Sequence, residues 1–92
     1  MRHLFWTPEA LRDREAIYDH VEGDDPQAAI ALDGLFAERA GTLVAHPGIG
    51  RLGRVGGTRE LVVHRRYILV YEQADNAVTI LRVLHTARRW PP

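Results

Sequence analysis

The first apolar block of the chain, His3 to Trp6, is too short for a helix and ends at Thr7-Pro8. We therefore predict an N-terminal strand there. Thr7 is suited to cap a helix, because Pro8 would occupy the first helical position, where its missing N–H costs nothing. The helix should end near Gly23. Its apolar stripe recurs at helical spacing and consists of Ala10, Leu11, Ile17, Tyr18 and Val21.

A second helix is predicted from Asp24-Asp25-Pro26, which repeats the signal of a capping side chain followed by proline. Because the link between the two helices is short, they should pack as an antiparallel hairpin. The apolar face of the second helix, which ends at Leu43-Val44-Ala45, comprises Ala29, Leu32, Leu35, Phe36, Ala40, Leu43 and Val44.

Three blocks rich in β-branched residues follow, from Arg59 to His64, from Tyr67 to Tyr71 and from Val78 to His85. Short turns separate them, so they predict an antiparallel meander. The fold class is then α+β, in the order β-α-α-β-β-β, with a helical hairpin packed on a small antiparallel sheet in one domain spanning residues 1–92. The middle block is apolar on both faces, so we expect the second face of the sheet to be partly covered, by a partner chain.

The segment HPGIGRLGRVGG, residues 46–57, contains G-x-G-x-x-G at Gly48, Gly50 and Gly53. A dinucleotide site requires these glycines to follow a strand and to open a helix, but here a helical pattern precedes them and a strand pattern follows. A phosphate loop requires a lysine, and the chain has none. We predict a flexible connection from helix to strand, and no cofactor.

The composition limits the class of protein. There are no cysteines, which excludes disulfides, thiol catalysis and cysteine-ligated metals. No two histidines have the i, i+4 spacing of a helical metal site, so we expect no metal. Without a membrane-length apolar run or a secretory signal pattern, we expect a cytoplasmic protein with no membrane partner.

The formal net charge of zero hides a division between the two halves. Residues 1–47 hold four arginines and nine acids, a net charge of −5, whereas residues 48–92 hold eight arginines and three acids, a net charge of +5. Such asymmetry favours an anionic partner, either an acidic protein segment or a nucleic acid. Alternatively, the acidic helices neutralise a basic sheet within the same molecule.

Several side chains could serve RNA cleavage by attack of a 2′-hydroxyl, which requires a base, an acid and cations that stabilise the charged phosphorane. Histidines at strand ends are also common as packing or capping residues, which is the alternative. The candidates for catalysis are His85, Arg59, Arg82, Tyr71 and His64.

A second set of residues could contact a partner or target. Arg65-Arg66 lies either in a solvated hairpin turn or at an edge that binds phosphate or carboxylate, and Trp90 is expected to tuck back over the sheet edge. The candidates for contact with a partner are Arg51, Arg54, Arg65, Arg66, Arg88, Arg89 and Trp90.

Residues 57–91 carry a family pattern, whose most specific elements are GTREL, YILVY and ILRVLH-x-AR-x-W. The N-terminal half fits the same pattern through WTPEAL, IYDHV, DDPQAA and AHPGIGRLGR. Over nearly its whole length the chain resembles the RelE/ParE superfamily of bacterial type II toxin–antitoxin toxins. The resemblance implies the β-α-α-β-β-β fold, with the glycines joining the second helix to the meander.

The resemblance also implies a growth-inhibiting toxin, bound by an antitoxin encoded beside it whose acidic and apolar C-terminal segment wraps the toxin as a hetero-oligomer. ParE-like members poison DNA gyrase, and RelE-like members cleave messenger RNA on the ribosome. His85 matches the position of a catalytic histidine or tyrosine in several ribonuclease members, and Arg59 matches a phosphate-contacting arginine. The lysines of RelE are absent, and the ILRVLH-x-AR-x-W ending is closer to ParE. We expect gyrase poisoning, with RelE-like RNA cleavage as the alternative.

Overall fold

Two helices lie on one face of a five-stranded mixed sheet in the computed structural model, which describes residues 2–91. The predicted α+β class and the helical hairpin are confirmed. In chain order the elements are β1 (His3–Trp6), α1 (Pro8–Glu22), α2 (Pro26–Ala45), β2 (Arg51–Leu52), β3 (Arg59–His64), β4 (Tyr67–Ala74) and β5 (Ala77–His85).

Both helices begin where the capping signals predict. The Thr7 hydroxyl accepts a hydrogen bond from the Ala10 N–H at 3.0 Å, and the Asp25 carboxylate accepts one from the Ala28 N–H at 3.1 Å. Thr7 also joins the sheet, because its hydroxyl donates to the Leu81 carbonyl at 2.8 Å. One residue therefore ends β1, caps α1 and fixes both against β5.

The strand order is β1-β5-β4-β3-β2. β3, β4 and β5 form the predicted antiparallel meander, but β1 pairs with β5 in parallel, so the sheet is mixed rather than antiparallel throughout. No hairpin turn links β1 to its neighbour β5, because both helices and the strands β2 to β4 lie between them in the sequence. The alternation of residues in β1 specifies its inward face but not its direction.

The main core lies between the helical hairpin and the sheet, where Phe36, Leu43, Leu69, Tyr71 and Ile80 have no exposed surface. A smaller cluster of Ile68, Val70 and Leu84 lies on the other face, packed against Leu81 and Trp90. The expected cover of the second face therefore comes partly from the chain's own C-terminal segment.

One position in the predicted apolar stripe of α1 is wrong. Leu11 is 49 % exposed, whereas its neighbour Ala10 is fully buried. Ala10 and Ile17, seven residues apart, define the buried side of α1.

The glycine segment is more ordered than a flexible connection, because Tyr71 anchors it. The Tyr71 hydroxyl donates to the Pro47 carbonyl at 2.7 Å and accepts from the Gly50 N–H at 3.0 Å. The chain then forms the short edge strand β2, and the Gly53 N–H donates to the Thr58 carbonyl at 2.8 Å. The glycines therefore allow close approach to a buried tyrosine and a strand edge.

Gly50→Ala should destabilise the fold by about 2 kcal/mol, because an added Cβ would lie 2.6 Å from the Tyr71 hydroxyl and 3.0 Å from the Glu60 carbonyl oxygen. Urea unfolding of the purified variant measures this. Gly48→Ala is the matched control, since a Cβ there would meet nothing within 4 Å. Equal stability of the two variants would contradict the anchoring role of Tyr71.

Candidate functional site

Two of the candidate contact arginines are held by a buried carboxylate. The Glu60 side chain is only 1 % exposed, and it lies 3.2 Å from Arg51 and 3.6 Å from the Arg54 guanidinium. The Arg54 backbone N–H also donates to it at 3.1 Å. Because a buried carboxylate requires compensation, these two arginines serve the fold and hold β2 and its loop to β3.

Arg59 and Tyr71 stand at the same end of the sheet as the glycine segment. The Arg59 guanidinium donates to the Gly50 carbonyl at 2.8 Å and to the Gly48 carbonyl at 3.4 Å. Tyr71 has no exposed surface, and both functions of its hydroxyl are used within the fold. Both side chains therefore hold the glycine segment to the sheet.

Arg82 is paired with an acid that the sequence patterns did not single out. Its guanidinium donates to the Asp13 carboxylate of α1 in a two-point contact, at 2.7 and 3.0 Å, and the Val83 N–H donates to the same carboxylate at 2.9 Å. The hydrogen bond to Asp13 raises the pKa of Arg82. A signal for this pair was present, because Asp13 lies between Ala10 and Ile17 on the side of α1 that packs on the sheet.

Trp90 lies over the second face of the sheet, where it packs on the cluster formed by Ile68, Val70 and Leu84. Arg82 approaches the Trp90 ring, with its guanidinium carbon 5.7 Å from the ring centroid. The expectation that the indole tucks back is met, although it covers a face of the sheet rather than only an edge.

The two candidate histidines flank one tyrosine in a row across three strands. His64 is paired with Tyr67, and Tyr67 with His85, at ring centroid distances of 6.0 and 5.4 Å. Each histidine uses Nδ1 as an acceptor, from the Arg66 N–H at 3.1 Å and from the Ala87 N–H at 3.0 Å respectively. The proton of each neutral imidazole therefore resides on Nε2.

The structure separates four of the five candidate catalytic residues into two groups, and the fifth, Arg82, is bound to Asp13. Tyr71 and Arg59 are paired across β4 and β3, whereas His64 and His85 are paired with Tyr67. Tyr67 and Tyr71 are four positions apart on β4, a distance of about 13 Å along the strand. The histidine row and the tyrosine with its arginine therefore cannot act on one phosphodiester together in this arrangement.

The remaining candidate arginines gather at the histidine end. The Thr86 N–H donates to the Arg66 carbonyl at 2.7 Å, and the Arg88 N–H donates to the His85 carbonyl at 2.9 Å, which places the β3–β4 turn beside the segment after β5. Among residues 2–91, none of the four arginines at this end has an acidic partner. They are Arg65, Arg66, Arg88 and Arg89, and all are exposed.

A groove of about 480 Å³ opens at this same end, between α1 and the end of β5. Half-buried Ile17 and Val21 and buried Tyr67 and Val83 contribute its apolar lining. Exposed Arg66, Arg88, His85, His20 and Asp24 contribute its polar lining. Sequence patterns did not reveal the groove, because it is formed by parts of the chain far apart in sequence.

Between residues 2 and 91, no group of three or more histidine and acidic side chains is placed to hold a metal ion. No helix in that range is long and apolar enough to cross a membrane.

The sequence matches known toxins over almost its full length. Residues 4–90 match the family model described as the ParE toxin of the type II toxin–antitoxin system parDE. The chain is 33 % identical over 90 residues to the putative toxin Y4kP of Sinorhizobium fredii, covering 98 % of this chain and 94 % of that protein. It is 38 % identical over 88 residues to the toxin RelE2 of Caulobacter vibrioides, covering 96 % and 99 %.

The fold matches two solved toxin–antitoxin structures. A chain of the chromosomal ParDE system from P. aeruginosa superimposes with a TM-score of 0.83 at 31 % identity, covering 92 % of this chain and 96 % of that one. A chain of the RelBE2 toxin–antitoxin complex from Mycobacterium tuberculosis superimposes with a TM-score of 0.65 at 28 % identity, covering 91 % and 96 %. The chain therefore belongs to the ParE toxin family and is a toxin of the RelE/ParE superfamily of type II toxin–antitoxin systems.

Proposed function

We propose that this toxin arrests growth by poisoning DNA gyrase, and that an acidic antitoxin encoded beside it holds it inactive. The match of residues 4–90 to the ParE toxin model is the observation that supports this target most directly. The higher TM-score to the ParDE chain, 0.83 against 0.65 for the RelBE2 chain, points the same way.

The arrangement of the candidate catalytic residues also favours a non-nuclease toxin. Arg59 binds backbone carbonyls, Arg82 binds Asp13, and Tyr71 is fully buried. A phosphorane would need cations and a proton donor that can reach it. Of the five candidates, His64 and His85 have the weakest ties to the fold, since each accepts only one local backbone hydrogen bond among the described residues.

RelE-like cleavage of messenger RNA is the second candidate, and the histidine row is the observation that favours it. The His85 ring lies 5.4 Å from that of Tyr67, and His85 lines the groove together with Arg66 and Arg88, which have no acidic partner among residues 2–91. Attack of a 2′-hydroxyl would require one histidine to donate a proton and the other to accept one, and the accepting ring would have to give up its Nδ1 hydrogen bond to the backbone. The two candidates therefore differ in whether growth arrest requires the histidines.

An antitoxin partner follows from what the toxin leaves uncovered. Four arginines that have no acidic partner among residues 2–91 face solvent at one end, and large apolar side chains such as Val62 and Leu52 are exposed near the β2 edge. Acidic side chains would pair with the arginines, and apolar ones would cover the exposed positions. The related structures include complexes of a toxin with its antitoxin, which supports the same arrangement here.

Purified toxin should inhibit supercoiling by purified gyrase, or trap gyrase on cleaved DNA, because the proposed target is the enzyme–DNA complex. An agarose gel assay of plasmid topology measures this. Toxin mixed beforehand with the antitoxin is the control and should leave supercoiling intact. Full supercoiling at saturating toxin would contradict the gyrase proposal.

His85→Ala and His64→Ala should each arrest growth as strongly as the wild-type toxin, because neither histidine is required for gyrase poisoning. Induction of each variant in cells, with His46→Ala as the control at another exposed histidine, measures this. The nuclease would be favoured instead by two results together. Among the three variants only His85→Ala would fail to arrest growth, and the wild-type toxin would cut messenger RNA in the ribosomal A site.

A further inference from the structure

We propose that the groove between α1 and the end of β5 is an anchor site for the antitoxin, and that it receives one apolar side chain together with an adjacent carboxylate. This inference rests on the proposed function, since it assumes that an antitoxin binds. It adds the location of the anchor site and the types of antitoxin side chain that fill it.

Most arginines elsewhere in the structure already pair with an acid of the chain, which makes this end of the molecule the best place for a partner's carboxylate. Arg51 and Arg54 bind Glu60, Arg82 binds Asp13, and Arg14 binds Asp33. A partner would have to compete for these arginines with carboxylates whose side chains are only 1 % (Glu60), 12 % (Asp13) and 35 % (Asp33) exposed. Arg66 and Arg88 line the groove and have no acidic partner among the described residues, so they can accept a partner's carboxylate without loss to the fold.

The groove has the properties of a side-chain pocket. Its volume of about 480 Å³ lies within the usual range for ligand pockets, about 300–1,000 Å³. Ile17, Val21 and Val83 supply an aliphatic lining, and Tyr67 is 8 % exposed. Burial of an apolar side chain here would tighten binding by about 10- to 150-fold, which is typical of an anchor residue.

A peptide fits this groove better than a nucleic acid does. Asp24 and Asp25 line the side formed by the link between the helices, and they would repel a chain of phosphates. Single-stranded nucleic acid also needs exposed aromatic faces for stacking, but Tyr67 is buried between Phe36, His64 and His85. A peptide needs no stacking face, and it brings a single carboxylate to Arg66 and Arg88 instead of a chain of phosphates, so Asp24 and Asp25 repel it less.

The proposal predicts two separate effects on antitoxin binding. Ala16→Trp places a large side chain at the wall of the groove from an exposed position on α1, so it should weaken antitoxin binding about tenfold or more. Arg88→Glu places a repulsive charge at the rim, so it should weaken binding to a similar degree and reduce the dependence of Kd on salt. Titration calorimetry of the full-length toxin with the antitoxin measures both.

Matched controls exist on α2. Ala37→Trp adds the same bulk at an exposed alanine, and Arg39→Glu reverses another exposed arginine that has no acidic partner among the described residues. Neither residue lines the groove. Both controls should bind the antitoxin with wild-type affinity, and circular dichroism should show that all four variants are folded.

The outcomes separate the inference from the function on which it rests. Weaker binding by both groove variants with unchanged controls supports the anchor site. Wild-type affinity in folded Ala16→Trp and Arg88→Glu overturns the anchor site, but it leaves the proposal of an antitoxin partner intact. A single-stranded RNA oligonucleotide that binds the wild type but not Ala16→Trp, while antitoxin affinity is unchanged, assigns the groove to nucleic acid and overturns the proposal. No binding by the wild-type toxin contradicts the antitoxin proposal itself.

Discussion

The contact of Asp13 with β5 determines how the helical hairpin sits on the sheet. β1 covers the edge of β5 only as far as Ile80, so the following backbone of β5 has no neighbouring strand on that side. The Asp13 carboxylate accepts one hydrogen bond from the Val83 N–H and two from the Arg82 guanidinium. These bonds join α1 to the uncovered part of the β5 edge. Removal of Asp13 would leave a backbone donor and a guanidinium unpaired, a loss of about 1–3 kcal/mol.

This contact also shapes the rest of the functional end. Because Asp13 holds α1 against the start of the uncovered edge, the last turns of α1 and the end of β5 form the two walls of the groove. Arg82 is held toward α1 on one side and approaches the Trp90 ring on the other, so the C-terminal segment is linked to the same contact. At this end four exposed arginine side chains have no acidic partner among residues 2–91, namely Arg65, Arg66, Arg88 and Arg89.

Local chemistry explains why the elements could be predicted from the sequence. The caps at Thr7 and Asp25, with proline directly after each, fix the helix starts. The blocks of β-branched residues fix three strands. The direction of β1, the two-residue β2 and the anchoring of the glycine segment by Tyr71 depend on contacts between residues far apart in the chain, and periodicity carries no information about them.

The site was less predictable than the fold for the same reason. Residue type alone grouped Tyr71, Arg59 and Arg82 with the histidines, but buried carboxylates and backbone carbonyls use these side chains in the fold. The charge division between the two halves indicated both an internal pairing and an anionic partner. The internal pairing between the halves is seen at Asp13 and Arg82, whereas Arg66 and Arg88 have no acidic partner among residues 2–91 and remain available to an anionic partner.

Native-state hydrogen exchange at the Val83 amide tests the central contact most directly, because no strand lies beside that N–H and Asp13 is its acceptor. We expect the Val83 amide to be protected as strongly as core amides such as that of Leu69, and Asp13→Ala to remove the protection of Val83 while that of Leu69 remains. Rapid exchange at Val83 in the wild-type protein would contradict the account.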